Sequence, residues 1–369
     1  MNKKIVGFAF LCLWIWVLPL QAQDINVRKY TNEFLHIGVG ADALGMGNAA
    51  VAGVNNANAV FWNPAGLTEM EGDLQLSLMH AEYFAGIANF DFGGAGIRLN
   101  DRSVLGLGFI RFGVDDIPNT IELLDQNQVP DYSRVTPFSA IDYAFYLSYA
   151  RRSTDSLFSF GTSAKVIHRT VGTFANAWGF GLDMGIQYRE NGWQFAAMAR
   201  DITTTFNAWD MSLTEREKEV FESTGNIIPE NNIELTMPSL VLGVDKQFYF
   251  GERWGLRPEA NIILHSDGRR NTVLSSDRFS LDPVAGLEFS YNNMIFLRGG
   301  IGKIQEEMYM SASRDGSSIT FEPNLGIGLK ISSFQVDYAY TDIGDQSIAL
   351  YSHVVSLLFH ITRSDKKAN

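Results

Sequence analysis

The residues of this chain that could carry out chemistry do not form a recognisable catalytic or metal-binding set. None of the six histidines lies two or four residues from another, and that spacing argues against a metal site. Asp115 and Asp116 are adjacent, but a solvated acidic edge is favoured over a general acid–base pair. No G-x-S-x-G motif is present. The sequence therefore predicts no enzyme, metal or cofactor, although separate strands of a membrane phospholipase or protease could still assemble a catalytic site.

One glycine-rich segment matches a cofactor-binding pattern on paper. Residues 38–43 read Gly-Val-Gly-Ala-Asp-Ala, which satisfies G-x-G-x-x-A. That pattern binds a dinucleotide where a strand precedes it and a helix follows it in a βαβ unit. No alternation of strands and helices follows here, so close packing of small residues is favoured over cofactor binding.

A second motif, at residues 61–67, reads Phe-Trp-Asn-Pro-Ala-Gly-Leu. Asn63 can cap a short helix whose first position is Pro64, and Trp62 provides a large apolar anchor. We interpret this turn as a wedge against the wall that surrounds it. A gate for an apolar ligand is the alternative.

The strands that must hold these motifs alternate large apolar residues with small or polar ones, a period of two. From Trp178 to Tyr188, every second residue is large and apolar, and the residues between them are glycine or polar. Residues 141–150 and 256–264 repeat this alternation. Strands of this kind suit a wall with lipid on one side and a lumen on the other.

The amino terminus has the pattern of a secretory signal peptide. Lys3 and Lys4 precede an apolar run that ends at Leu20-Gln21-Ala22, which predicts cleavage after Ala22; a membrane anchor is the alternative. Cleavage would remove Cys12, the one cysteine, so we expect no disulfide. The net charge of −12, without a basic stripe, disfavours nucleic-acid binding.

The whole pattern predicts an all-β protein, a transmembrane antiparallel β-barrel of about fourteen strands in the cell outer membrane. Tight turns alternate with long connections at 113–139, 169–176, 202–237, 265–278, 302–321 and 343–351. Short periplasmic turns and long external loops would place both termini in the periplasm. The strands are expected near residues 73–82, 87–99, 103–112, 140–151, 157–168, 177–190, 192–201, 238–248, 254–264, 279–290, 294–301, 322–331, 333–342 and 352–362.

The longest connection is expected to contain a helix. Ser212-Leu213-Thr214-Glu215 has the spacing of a capping box, and residues 215–222 are good helix formers. We interpret it as a loop packed over the barrel mouth, with partner recognition as the alternative.

Four units follow from this division: a signal peptide (1–22), an N-terminal plug segment (23–72), the barrel (73–362) and a tail (363–369). We expect the plug to fold inside the lumen, because a barrel of this width must be filled or constricted. Charged side chains on the polar faces are expected to form a solvated or ion-paired lining with it, a substrate path being the alternative: Asp183, Arg189, Asp245, Arg257, Glu259, Lys330 and Asp337. The plug motif, with a structural or gating role, comprises Gly38, Gly40, Gly45, Gly47, Trp62, Asn63, Pro64 and Ala65.

Residues 32–49 and 60–67 resemble the start of the PorV/PorQ family, and residues 28–35 are closer to its PorV branch. These outer-membrane barrels are associated with the type IX secretion system of Bacteroidetes and belong to the wider superfamily of the fatty acid transporter FadL. The resemblance implies a plugged barrel without catalytic chemistry, surrounded by outer-membrane lipid. Its implied partners are the type IX translocon or cargo proteins with a sorting domain. The alternative is a FadL-like transporter of long-chain fatty acids or other hydrophobic compounds.

Overall fold

A computed structural model describes residues 31–124, 129–272, 274–311, 314–341 and 352–362. The predicted signal peptide, the connection at 343–351 and the tail lie outside these residues. The described strands form one antiparallel sheet. In chain order they are β1 (Leu74–Tyr83), β2 (Ala88–Asn100), β3 (Ser103–Asn119), β4 (Thr136–Arg152), β5 (Phe158–Val171), β6 (Ala175–Glu190), β7 (Trp193–Arg200), β8 (Thr205–Met211), β9 (Asn232–Thr236), β10 (Ser239–Lys246), β11 (Phe248–Phe250), β12 (Trp254–His265), β13 (Leu274–Ser275), β14 (Ser280–Tyr291), β15 (Ile295–Ser311), β16 (Arg314–Ile331), β17 (Phe334–Thr341) and β18 (Ser352–Ile361).

The sheet closes into a barrel because β1 pairs with both β2 and β18. Within the described chain the closed ring has fourteen strands, since β8, β9, β11 and β13 extend the ring strands beside them. On the wall, β6 pairs with β7 and then with β8, while β7 continues the ring by pairing with β10. The predicted fourteen-strand antiparallel barrel is therefore confirmed.

The outer face of the wall is apolar and carries aromatic side chains near both ends. Trp178 is 53% exposed and stacks on His168, with ring centroids 4.1 Å apart. Tyr188, at the other end of β6, contacts Phe158 with centroids 4.9 Å apart. Two such girdles are typical of barrels that span an outer membrane.

Several segments predicted as loops are strands. β3 and β4 stay paired up to Asn119 and Thr136, and β15 and β16 up to Ser311 and Arg314. These extensions lie beyond the lipid-facing part of the wall, where the strands need no apolar face. The hydrogen-bonded pairing of the strands therefore continues after the alternation of apolar and polar residues has ended. Asp116, predicted in a loop, lies at an irregularity of β3 with a φ of 57°.

The helix predicted in the longest connection is present at Glu215–Ser223. Its capping box is formed by Thr214 and Glu217, and not by the Ser212 and Glu215 of the predicted spacing. The connection also contains β8 and β9, which the sequence pattern missed. No helix among the described residues has the length and apolarity needed to cross a bilayer.

Candidate functional site: the lumen and its N-terminal segment

Residues 31–72, which we call the N-terminal segment, contact the inner face of the wall on several sides. The segment contains short helices at Ala41–Leu44 and Ala59–Trp62 and 3₁₀ turns at Glu33–His36 and Pro64–Glu69. Its backbone is bonded to side chains from strands spaced around the ring, so the segment lies within it. The contacts include Ala41 N to Ser356 Oγ (3.1 Å), Ala52 N to Glu259 Oε1 (2.8 Å) and Gln187 Nε2 to the Ala52 carbonyl (3.1 Å).

The predicted glycines permit close approach between this segment and the wall. Gly40 precedes the first helix with a φ of 82°, which other residues rarely adopt. A Cβ on Gly45 would lie 2.9 Å from the Cα of Gly326, and one on Gly47 would lie 2.7 Å from a backbone nitrogen of β15. Gly38 packs beside the Trp62 ring. The small residues therefore serve packing, as the sequence analysis favoured.

The Trp62–Ala65 motif joins the segment to itself and to the wall. Trp62 Nε1 donates to the Val39 carbonyl (2.8 Å). The Asn63 side chain caps the next turn by accepting from Ala65 N (3.1 Å), and Pro64 occupies its first position. Asn63 Nδ2 also lies 3.3 Å from the Ile186 carbonyl in β6. The predicted cap is thus present, and the role of this segment is taken up below.

Replacing Asn63 by alanine is expected to loosen this junction. The substitution removes the cap on Ala65 and the donor to Val51 and Ile186, all of them buried. Loss of a cap and of buried hydrogen bonds is expected to lower the free energy of unfolding by about 2–3 kcal/mol. Urea unfolding in lipid vesicles would measure this. Asn63→Asp, which retains the acceptor but turns a buried carboxylate toward the Val51 and Ile186 carbonyls, should lose at least as much. An unchanged midpoint for Asn63→Ala would contradict this account.

Six of the seven predicted lumen-facing charges form ion pairs, and the seventh, Glu259, accepts hydrogen bonds from Ala52 N and Gly53 N. Glu69 of the N-terminal segment bridges two wall arginines, Arg152 at 2.5 Å and Arg189 at 3.1 Å. Lys330 pairs with Glu71 of the same segment. These contacts join the segment to the wall electrostatically as well as by backbone bonds.

Two further groups lie within the wall itself. Lys165 Nζ lies 2.9 Å from Asp183 and 2.6 Å from Asp201, in a buried cluster. A longer chain runs from Asp245 through Arg257 and Glu288 to Arg298 and Asp337. The sequence analysis did not select Lys165, Glu288 or Arg298, although each occupies a polar position of its strand, a signal that could have identified them.

Two cavities lie against the N-terminal segment and share no lining residue. The loop-side cavity has a volume of about 570 Å³; its apolar lining includes Phe34, Ile37, Leu44, Phe112, Ile263 and Val284. The turn-side cavity has a volume of about 350 Å³ and is mostly polar, with Asp42, Asn56, Gln75, Arg257, Glu288 and Arg298 in its lining. The N-terminal segment thus lines both an amphipathic cavity and a mostly polar one.

The first turn of the N-terminal segment contributes ionisable groups to the loop-side cavity. Burial lowers the pKa of His36 well below 6.5, and the charges of Arg200, Arg270, His265 and Lys165 act in the same direction. The His36 ring stacks on that of His265, with centroids 5.8 Å apart. Burial also raises the pKa of Glu33. At neutral pH, therefore, His36 is uncharged.

The burial of an uncharged His36 predicts that this residue destabilises the barrel increasingly as the pH falls. The unfolded chain protonates His36 near pH 6.5, whereas the folded chain does so only at lower pH, so the unfolded state binds more protons in that interval. The raised pKa of Glu33 acts in the opposite direction, because there the folded state binds the proton more tightly. Between about pH 7 and about pH 5, the thermal midpoint of the wild type should therefore fall relative to that of His36→Gln. A difference between the two midpoints that does not change with pH would contradict this role of His36.

Comparison with proteins of known structure places this fold. No protein-family model and no curated protein matches the chain. It is similar to the CymD monoaromatic hydrocarbon channel, with a TM-score of 0.51, 13% identity and coverage of 89% of this chain and 98% of that one. It is also similar to the toluene transporters TbuX of Ralstonia pickettii (TM-score 0.50, 15% identity, 88% and 98% covered) and TodX of Pseudomonas putida (0.52, 14%, 88% and 98%). The chain therefore shares the barrel fold of these channels and transporters.

Proposed function

We propose that this barrel binds small hydrophobic compounds in the loop-side cavity and that the N-terminal segment controls their passage through the lumen. The observation that carries the proposal is the cavity itself, a space of about 570 Å³ in which apolar side chains such as Phe112 and Ile263 share the lining with charged ones such as Arg270 and Asp282. Its size and lining are those of a small-molecule site. The barrels with the same fold include channels named for monoaromatic hydrocarbons and toluene, which supports this class of ligand.

A second apolar surface lies outside the barrel mouth, where a hydrophobic compound would arrive. A groove of about 980 Å³ runs beneath the helix Glu215–Ser223. Apolar side chains of several elements line it: Phe138, Phe174, Trp209, Leu213, Phe221 and Ile228. The groove would collect apolar solutes from water before they enter the lumen.

A charged substitution in the loop-side cavity is expected to abolish ligand binding. Phe112→Glu would place a carboxylate against the apolar lining, and a bound hydrocarbon would have to desolvate it. Toluene binding to the purified barrel, measured calorimetrically, should weaken at least about 100-fold. Ile233→Glu, the same change at an exposed site on β9, is the control. Equal affinity of both variants would contradict the proposal.

A second candidate is an accessory role in type IX protein secretion, with cargo or translocon binding through the external connections. It is favoured by the resemblance of the N-terminal segment to the PorV/PorQ family and by the half-buried ion pairs between Glu69 of this segment and two wall arginines. Deletion of the gene should then impair secretion of proteins with a sorting domain. Unaffected secretion together with impaired toluene uptake would leave only the first candidate.

The arrangement in the cell is part of the same proposal. Residues 1–22 would direct export and be removed, residues 23–72 would act as the plug, and residues 363–369 would form a periplasmic tail. Both termini would then lie in the periplasm, with the long connections outside. Protease accessibility of epitopes at the tail and beside the helix Glu215–Ser223, in intact cells, tests this orientation.

A further inference from the structure

A group of polar side chains faces outward from five neighbouring ring strands, β17, β18, β1, β2 and β3. His80 and Asp91 have side chains 55% and 40% exposed, and Glu82 is similarly open. Asp91 lies opposite both His80 and Arg111 in the strand registers, and Glu82 lies opposite His353. We call this group the polar strip; its members are Tyr338, His353, Glu82, His80, Asp91 and Arg111.

The side chains of the polar strip are bonded to one another across the strands. His80 Nδ1 lies 2.7 Å from Asp91 Oδ1, and Arg111 contacts Asp91 at 3.8 Å and Asp115 at 2.9 Å. Tyr338 Oη lies 2.6 Å from His353 Nδ1. The strip is therefore an organised ionic surface and not a set of isolated residues.

The depth of His80 follows from the aromatic girdles. Tyr188 and Trp178 lie ten positions apart on β6, about 25 Å along the membrane normal for tilted strands, which is the thickness of the apolar band. On β1, Leu76 lies opposite Phe359, which pairs with Phe334 at the turn-side end. His80 lies four positions further along, about 10 Å above that level. The strip therefore lies within the hydrocarbon band.

The connection above the strip is apolar, which reverses the order that lipid favours. Only four residues join β1 to β2, and of these Phe84 is 48% and Ile87 63% exposed. In a bilayer, apolar groups belong in the hydrocarbon and ionic groups at the headgroups. Here the ionic row is deeper than the apolar tip, so lipid leaves the ionic row unsatisfied.

We propose that the polar strip is the docking surface for a second outer-membrane protein, whose wall presents basic or hydrogen-bond-donating side chains at the same depth. With Asp115, the strip carries three carboxylates and one guanidinium: Asp91 and Asp115 contact Arg111, and Glu82 lies 4.0 Å from His80. This formal acidic excess calls for a cationic or donor surface opposite. A second copy of this chain would present the same acidic excess. Gly93 and Ala95, on the outer face of β2, leave room for close approach.

Site-specific photo-crosslinking in native outer membranes tests the proposal. A benzophenone amino acid at Leu78, exposed beside the strip, should give an adduct whose partner peptide maps to a transmembrane strand of another protein. The same probe at Leu297, exposed on a distant part of the wall, is the control and should give none. Adducts only with lipid, or a dimer of this chain alone, would overturn the proposal.

A matched variant separates docking from folding. The triple change His80→Leu, Asp91→Leu and Arg111→Leu makes the centre of the strip apolar, so the barrel should fold in lipid vesicles with an unchanged or higher urea midpoint. In native membranes the Leu78 adduct should be lost, while toluene binding stays unchanged. Retention of the adduct at its original yield in this variant would overturn the proposal, whatever the fate of the hydrocarbon-binding function.

Discussion

Gly300→Val is expected to convert a closed barrel into one that conducts ions. A Cβ at Gly300 would overlap the backbone of Met46 and Gly47 in the N-terminal segment, and backbone cannot move aside as a flexible side chain can. Because the wall is held by its hydrogen-bonded ladder on both sides, the segment is the part that must shift. Single-channel recording in planar bilayers should show little current for the wild type and discrete openings for this variant.

The neighbouring glycine provides the matched control. A Cβ on Gly299 points to the outer face, where its nearest heavy atoms are 4.0 Å away. Gly299→Val should therefore remain closed and heat-modifiable on gels, like the wild type. A folded Gly300→Val barrel that stays closed would contradict a plugging role for the segment. If this variant does not fold, Gly161→Ala tests the same role, since a Cβ there would overlap the backbone of Pro64 and Ala65.

Arg298→Ala is expected to be the most destabilising single change in the ionic lining. The Arg298 side chain is 2% exposed; its Nε lies 2.7 Å from Glu288 Oε2 and its Nη1 lies 2.6 Å from Asp337 Oδ1. Removing the cation leaves both carboxylates buried without it, which should cost about 3–5 kcal/mol. The free energy of unfolding in urea, measured in lipid vesicles, would show the loss.

Two comparisons show whether burial of the charges causes the loss of stability in Arg298→Ala. Arg216, in the external helix, pairs with Glu122 and Glu219 at 3.4 Å, with its side chain 55% exposed, so Arg216→Ala should cost less than about 1 kcal/mol. Adding Glu288→Gln and Asp337→Asn to Arg298→Ala should recover part of the lost stability, because fewer charges then remain buried. Equal losses for Arg298→Ala and Arg216→Ala would contradict this account.

The strands of the wall were predictable because each strand that crosses the membrane must present apolar side chains to lipid on one face. This requirement gives every such strand a period of two. β6 shows this clearly: large apolar residues alternate with glycine and polar residues from Trp178 to Tyr188, and the strand is found at Ala175–Glu190. Prediction from this alternation failed for strands that do not face lipid. β8 and β9 lie beside the mouth, and the alternation rule does not apply there.

The plug motif was recognisable as a packing segment, but its contacts were not predictable. Asn63 was expected to cap a turn, which is a local interaction. Its bond to Ile186, 123 positions away, depends on how the barrel closes. The two cavities have the same origin, because each is the space left between the segment and a closed wall.

By itself, the sequence determined that the chain forms a closed wall of fourteen strands, with charges on its inner face and a small-residue segment ahead of it. These features depend on side-chain period and size, which are local. Only the tertiary structure decided which charges pair, that the segment lines two cavities, and that His80, Asp91 and Arg111 form one outward row. Those features depend on strand register and ring closure, which bring together residues far apart in the chain.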